Sequence, residues 1–288
     1  MSLNSERVAQ CAVLAMLFEL SSSPKPGNVD RCHDFSDIGF NHFLISAVSA
    51  YPIFRKAANG EGGVGSLILE GVEAWKSWNL CSNTHFGSLV LMIPIAIAAG
   101  KPGELHRELA DAMENTTVTD AIDFYSAFEK ARARVVEVDS FSLNDRNWQE
   151  SVRESGKTLL ELMRLSSKHD IVAREWATNY ERSFLLAERL AEQIIRWGQN
   201  DGIVRTFLEA LAEVPDSLIC AKFGEDLARM VSRRAGEALQ DDTLSKAHEL
   251  DLDLLAQDIN PGSTADLIGA SLFISLLRGL RFDNALWK

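Results

Sequence analysis

The sequence has only four cysteines in 288 residues, Cys11, Cys32, Cys81 and Cys220, and they form no CxxC pair. That usage fits a reducing compartment better than a disulfide framework, so a cytoplasmic protein is expected. An excess of basic charge is also missing: 29 Lys and Arg stand against 41 Asp and Glu, a formal net charge of −12. A nucleic-acid surface needs a basic stripe that displaces counterions, so no nucleic-acid partner is expected. Small phosphorylated ligands remain open, because helix N-termini, a few local cations or a bound metal can supply the positive field. Long apolar runs are absent as well. The longest, residues 89–99, is too short for a bilayer and contains Pro94. The first apolar stretch carries Glu6, Arg7, Gln10 and Glu19, unlike a signal peptide. No membrane partner is expected.

Strand-like alternation is nearly missing, with residues 135–138 the single short β-like run. What is there instead is helical periodicity. Val8, Cys11, Ala12, Ala15, Met16 and Leu20 follow a 3.6-residue spacing, as do Leu159, Leu162 and Met163, then Leu185, Leu186, Leu190 and Ile194. Residues 170–197 hold no proline or glycine and read as one long helix ended by Gly198. Loops are expected at 23–32, 59–65, 80–84 and 139–147, at Pro215, and at Asn260-Pro261-Gly262. No fixed-period repeat and no dividing linker is visible. The reading is an all-α fold of ten to twelve helices in one compact domain spanning residues 1–288. Its apolar helical faces leave room for a homodimer.

Several familiar chemistries can be set aside. Residues 59–65 contain four glycines but lack the lysine and hydroxyl residue of a Walker loop. There is no GxSxG elbow. Cys32 and His33, with Asp34 and Asp37 nearby, have no second ligand pair at zinc spacing.

Three segments break the helical pattern. In Ser23-Pro24-Lys25-Pro26-Gly27-Asn28-Val29-Asp30-Arg31, two prolines stiffen a short loop that carries both signs of charge. Such a loop suits phosphate binding beside an acid or base, or it is a helix-ending turn with solvated charges. In Asn83-Thr84-His85-Phe86-Gly87, Asn83 or Thr84 can cap the next helix, placing its positive end beside His85. That geometry suits an anion, or it is plain capping. In Asn260-Pro261-Gly262-Ser263-Thr264-Ala265-Asp266, Ser263 or Thr264 can cap the last helix, with Asp266 in its first turn. Capping alone accounts for that pattern, and a cation or phosphate site fits it equally.

These segments, in this order, resemble the triphosphoribosyl-dephospho-CoA synthase family. The resemblance lies in Pro24 through Arg31, in Asn83-Thr84-His85 with Gly87, in Pro261-Gly262 with Ala265-Asp266-Leu267, and in Asp216-Ser217 with Lys222 and Gly224. It implies a mostly helical transferase that moves a triphosphoribosyl group from ATP to 3′-dephospho-CoA and releases adenine. The product is the prosthetic-group precursor of citrate lyase and malonate decarboxylase. Displacement at the anomeric carbon by the acceptor's 2′-hydroxyl needs a base, charge stabilisation, a proton donor for adenine and a clamp for three phosphates.

On that resemblance, Asp30 is expected as base or oxocarbenium stabiliser, and His85, with Asn83 and Thr84, as the group that orients the nucleotide or protonates adenine. Lys25, Arg31 and Lys222 are expected to hold phosphates, with Gly27, Asn28, Ser263 and Thr264 lining the substrate. Asp216 and Asp266 are expected to carry Mg²⁺ bridged to the triphosphate. The sequence departs from the citrate-lyase members at Phe86, where they carry lysine, at Ala221 and at Ser263. Asn28 and Cys32-His33-Asp34-Phe35 look more like the branch of archaea and C1-metabolising bacteria. Rival readings keep the fold and nucleotide chemistry with another acceptor in coenzyme biosynthesis, or make the chain a non-catalytic helical nucleotide-binding or scaffold protein.

Overall fold

The computed structural model describes residues 3–36, 38–80, 83–132 and 148–281. Among these residues the chain forms helices and no strands. In order they are α1 (Ser5–Ser21), α2 (Phe40–Ser49), α3 (Tyr51–Ala58), α4 (Val64–Lys76), α5 (Phe86–Ala99), α6 (Leu105–Glu114), α7 (Val118–Ala131) and α8 (Trp148–Ser155). Then follow α9 (Leu159–Ser166), α10 (Ile171–Ala177), α11 (Glu181–Trp197), α12 (Gln199–Glu213), α13 (Ser217–Phe223), α14 (Glu225–Ala238), α15 (Ser245–Leu255) and α16 (Gly262–Leu277). The expected β-like run at 135–138 and the loop at 139–147 lie outside the described residues.

Among the described residues sixteen helices therefore replace the expected ten to twelve. The excess comes from short helices that side-chain caps start, after Gly156 in the case of α9 and with no glycine or proline break in the case of α10. Thr158 opens α9 in a capping box with Glu161, and Asp170 opens α10 by accepting from Val172 and Ala173 N–H. The long helix expected over 170–197 is likewise two helices. Asn179 and Tyr180 take left-handed conformations between α10 and α11, with φ of 54° and 60°. Buried contacts hold that break: the Tyr180 hydroxyl donates to Leu91 O at 3.0 Å, and its N–H donates to Glu175 O at 2.7 Å. Tertiary partners overrule helix propensity there.

The chain divides into two compact units, Met1–Val13 with Ile45–Glu181, and Leu14–Leu44 with Arg182–Lys288. In the first, α5 is buried on nearly every face. Pro94 lies inside it and has no N–H for the carbonyl of Val90 four residues back. The indole Nε1 of Trp176 donates to that same Val90 O at 3.3 Å. A side chain from α10 thus satisfies the acceptor the proline leaves bare. The glycine-rich segment serves packing: a Cβ on Gly65 would stand 2.1 Å from Asp120 O on α7, so only glycine lets α4 approach so closely. Asp120 Oδ1 in turn accepts the Gly65 N–H at 2.9 Å.

In the second unit α12 packs on both α14 and α16, and α16 is buried along most of its length. The Ser275 hydroxyl within α16 donates to Ala187 O of α11 at 2.7 Å, so its burial carries no orphaned donor. On α15 the buried face consists of Ala247, Leu250, Asp251 and Leu254. Their spacing is that of a core stripe, and one member is an aspartate.

Candidate active site and cation cluster

The loop after α1 is held from inside. Lys25 is 1% exposed, and its ammonium forms an ion pair with Glu19 in the last turns of α1. Burial raises the Glu19 carboxyl above its usual range, opposed by the Lys25 charge. A lysine so placed is a structural counter-ion, which corrects its expected role as a phosphate ligand. Gly27 has φ of 74°, and a Cβ there would meet Ile259 O at 2.3 Å and Pro261 at 3.1 Å. The loop thus lies directly on the segment that leads into α16. The Asn28 side chain folds back on Pro26 O at 3.4 Å and is buried. Arg31 stays exposed, its guanidinium donating to Asn200 Oδ1 at 3.1 Å. The same amide clamps the loop's first residue, with Ser23 N–H to Asn200 Oδ1 at 3.0 Å and Asn200 Nδ2 to Ser23 O at 2.8 Å.

Asp30 is 0% exposed. Its backbone and that of His33 exchange hydrogen bonds of 3.1 and 3.3 Å, closing a small turn. Asp30 Oδ1 accepts the N–H groups of Cys32 and His33 at 2.7 and 3.1 Å, while Oδ2 has no hydrogen-bond partner among the described residues. Asp251, also 0% exposed, repeats the pattern: Oδ1 accepts the Gly27 N–H at 2.9 Å and Oδ2 has no hydrogen bond. Between them lies the His33 imidazole, with Nδ1 3.1 Å from Asp251 Oδ2 and 3.5 Å from Asp30 Oδ1, aligned for a hydrogen bond with neither. Burial pushes the Asp251 carboxyl up to about 6, against the pull of the Gly27 N–H and the His33 ring.

Asp251 is the residue that sequence reasoning missed. The signal was present, since an aspartate occupies a core position of the α15 stripe. Beside the cluster, the His248 ring lies 6.3 Å from that of His33 and also lines a cleft of about 510 Å³. Ser23, Pro24, Thr243, Asp201 and Glu249 line it too. The lining includes no lysine or arginine, so a phosphate entering it would need a cation brought in with it.

The segments around residues 216 and 263 join in the same unit. Asp216 Oδ1 caps α13 through Leu218 and Ile219 N–H at 2.9 and 3.1 Å, and Oδ2 caps α16 through Thr264 N–H and Oγ1 at 2.7 and 2.8 Å. One carboxylate thus starts two helices. All four contacts come from donors, which corrects its expected role as an Mg²⁺ ligand, because no oxygen lone pair faces an open position. Burial raises its carboxyl to about 6 despite those donors. Neither Ser263 nor Thr264 is the N-cap of α16, which is Pro261. The Ser263 hydroxyl accepts from Ser217 at 3.1 Å. Asp266 is half-buried and lies beyond the first turn of α16, because the helix already starts at Gly262; this corrects its expected first-turn placement. Lys222 is exposed and donates to Asp258 O at 3.2 Å.

In the other unit, His85 rather than Asn83 or Thr84 is the N-cap residue of α5, though Asn83 Oδ1 does accept the Phe86 N–H at 3.2 Å. His85 is buried, its Nδ1 3.0 Å from the Ser46 hydroxyl. The Thr84 hydroxyl is buried without a hydrogen-bond partner among the described residues. Phe86, at the position of the expected lysine, packs against Phe124 and Phe128 with centroids 5.7 and 5.6 Å away. The structure therefore joins three of the four segments in one unit, 24–31, 216–224 and 261–266, and carries 83–87 in the other.

Comparison with known proteins gives a consistent pattern. Residues 5–283 match the family described as ATP:dephospho-CoA triphosphoribosyl transferase. A protein of Pseudomonas fluorescens strain Pf-5, described as a probable 2-(5''-triphosphoribosyl)-3'-dephosphocoenzyme-A synthase, is 25% identical over 94% of this chain and 91% of its own length. A protein of the same description from strain Pf0-1 is 23% identical over the same shares. A crystal structure from Archaeoglobus fulgidus, described as a candidate triphosphoribosyl-dephospho-CoA synthase, superposes with a TM-score of 0.70 at 25% identity, covering 83% of this chain and all of that one.

Proposed function

Because this chain belongs to the ATP:dephospho-CoA triphosphoribosyl transferase family, we infer that it transfers the triphosphoribosyl group of ATP to 3′-dephospho-CoA and releases adenine. The observation that carries this is the family match over residues 5–283, which takes in all four marked segments. Among the described residues no helix is long and apolar enough to cross a membrane, and the substrates are small nucleotides.

In the transfer, an acceptor hydroxyl attacks the anomeric carbon of ATP's ribose while the bond to adenine breaks. The hydroxyl proton must leave, and positive charge builds on the sugar. We assign Asp30 to that centre. What supports it is a buried carboxylate with one oxygen fixed by two N–H groups and the other without a hydrogen bond. Arg31 and Lys222, whose cationic heads are exposed, are assigned to the phosphates. His85, buried against Ser46, keeps the role of orienting the nucleotide or protonating the departing adenine. Mg²⁺ bound with ATP would neutralise triphosphate charge, and Asp266 is the carboxylate that would hold it. A cytoplasmic setting and a homodimer belong to the same reading.

The test is incubation with ATP, Mg²⁺ and dephospho-CoA, with chromatography for free adenine. Adenine that appears only with dephospho-CoA supports the assignment. Adenine that appears only with another acceptor moves the chain to a different substrate, and no adenine with any acceptor removes the activity.

A further inference from the structure

We propose that Asp30, His33 and Asp251 form a resident site for one divalent cation, of the kind that accepts mixed carboxylate and imidazole ligands, with Mn²⁺ favoured over Mg²⁺. Three observations converge. Both carboxylates are fully buried, and each leaves Oδ2 without a hydrogen bond. In each, the other oxygen is tied to backbone N–H groups: Cys32 and His33 for Asp30, and Gly27 for Asp251. Outer contacts of that type orient a ligand oxygen and hold it for an ion. Third, the His33 Nδ1 sits 3.1 and 3.5 Å from the two carboxylates. Ligands held about 2.1 Å from an ion stand roughly 3.0–3.5 Å apart in octahedral or tetrahedral shells. The His33 Nδ1 and Asp251 Oδ2 already stand at such an edge, and one ligand atom from each of the three residues lies within 4.8 Å of the others.

Charge argues the same way. Two buried carboxylates need a counter-charge, and the buried ammonium of the same loop, Lys25, is engaged by Glu19. His33 is 23% exposed, which leaves the cluster an approach from solvent. The donor set decides the kind of ion: two carboxylates suit Mg²⁺ or Mn²⁺, and the imidazole shifts the balance toward a transition-metal ion, so of those two Mn²⁺ is favoured. The site shares Asp30 with the transfer reaction but stands without that reading: it is tested with no nucleotide present, so either can fail alone.

The full chain, stripped with a chelator, is titrated with MnCl₂ and separately with MgCl₂ by calorimetry, and free Mn²⁺ is followed by electron paramagnetic resonance. One Mn²⁺ per chain is expected, bound at least about tenfold more tightly than Mg²⁺. Asp251→Asn retains an Oδ1 acceptor for Gly27, and together with His33→Ala it should weaken Mn²⁺ by about tenfold or more. Asp253→Asn, at an exposed carboxylate on α15 paired with Arg234, should bind as the parent does. Circular dichroism and cooperative unfolding establish that each variant is folded. The proposal is overturned if the folded parent takes up no Mn²⁺, if Mg²⁺ binds as tightly, or if His33→Ala binds like the parent. In that last case the ion is held without the imidazole and His33 is no ligand.

Discussion

Lys25 brings a positive charge into the interior and is matched by a single carboxylate, Glu19, six residues earlier. Its ordinary strength as a phosphate ligand is spent on that pair. Breaking a buried pair strands the remaining charge, which costs about 3–5 kcal/mol, whereas replacing both partners with apolar groups of similar shape is often neutral. Lys25→Met should therefore lower unfolding stability by that amount in urea titrations, and Lys25→Met with Glu19→Leu should recover most of it. A single variant as stable as the parent would return Lys25 to the ligand role. The pair was not legible in the sequence. Glu19 belongs to a helix, Lys25 to the loop beyond it, and only the reversal of the chain at Ser22 to Pro24 turns six residues of separation into contact.

At the scale of the element, two helix starts depend on Asp216. Its carboxyl has a folded-state pKa near 6, raised by burial from an ordinary 3.8. The sign follows from linkage: the stability tied to this group is full below the unfolded value and is lost as pH rises through about 6. Compared with Asp216→Asn, which cannot titrate, the parent should lose about 3 kcal/mol between roughly pH 4 and pH 7. Paired urea midpoints at the two pH values test this, and an unchanging difference contradicts it. α5 offers a second case. Trp176→Phe retains the ring but removes the donor to Val90 O, the carbonyl that Pro94 strands, and should cost about 1–3 kcal/mol in thermal unfolding. A loss no larger than that of an exposed substitution would mean that Val90 O needs no donor.

Part of this was legible. Thr158 and Asp170 are cap types written in the sequence, yet a long apolar pattern without glycine reads as continuous helix. The break at Asn179 and Tyr180 was hidden because what holds it, Leu91 O, lies 89 residues away.

At the scale of the whole molecule, the functional reading makes Asp30 the residue whose chemistry exceeds its structural weight. Asp30→Asn retains an acceptor for the Cys32 and His33 N–H groups, so stability should change little while adenine release falls by about a hundredfold or more. Parent-like turnover in a folded Asp30→Asn chain would take this residue out of the reaction. The surrounding chain makes that test meaningful, because the loop is fixed by Gly27 on Ile259, by Asn200 on Ser23 and by Lys25 on Glu19.

The sequence by itself determined the helical class, the apolar stripe of α1 with Val8, Cys11, Ala12, Ala15, Met16 and Leu20 all buried, and the marked segments that carry the family. These are local properties, set by periodicity, by turn residues and by short motifs that neighbouring positions spell out. Only the tertiary structure decided that Lys25 is a counter-ion, that Asp216 caps two helices at once, and that Asp251 from α15 completes a cluster with Asp30 and His33. Each of those depends on residues brought together across a turn or across tens to hundreds of positions. There burial and the presence or absence of a partner, rather than residue type, set what a charged group does.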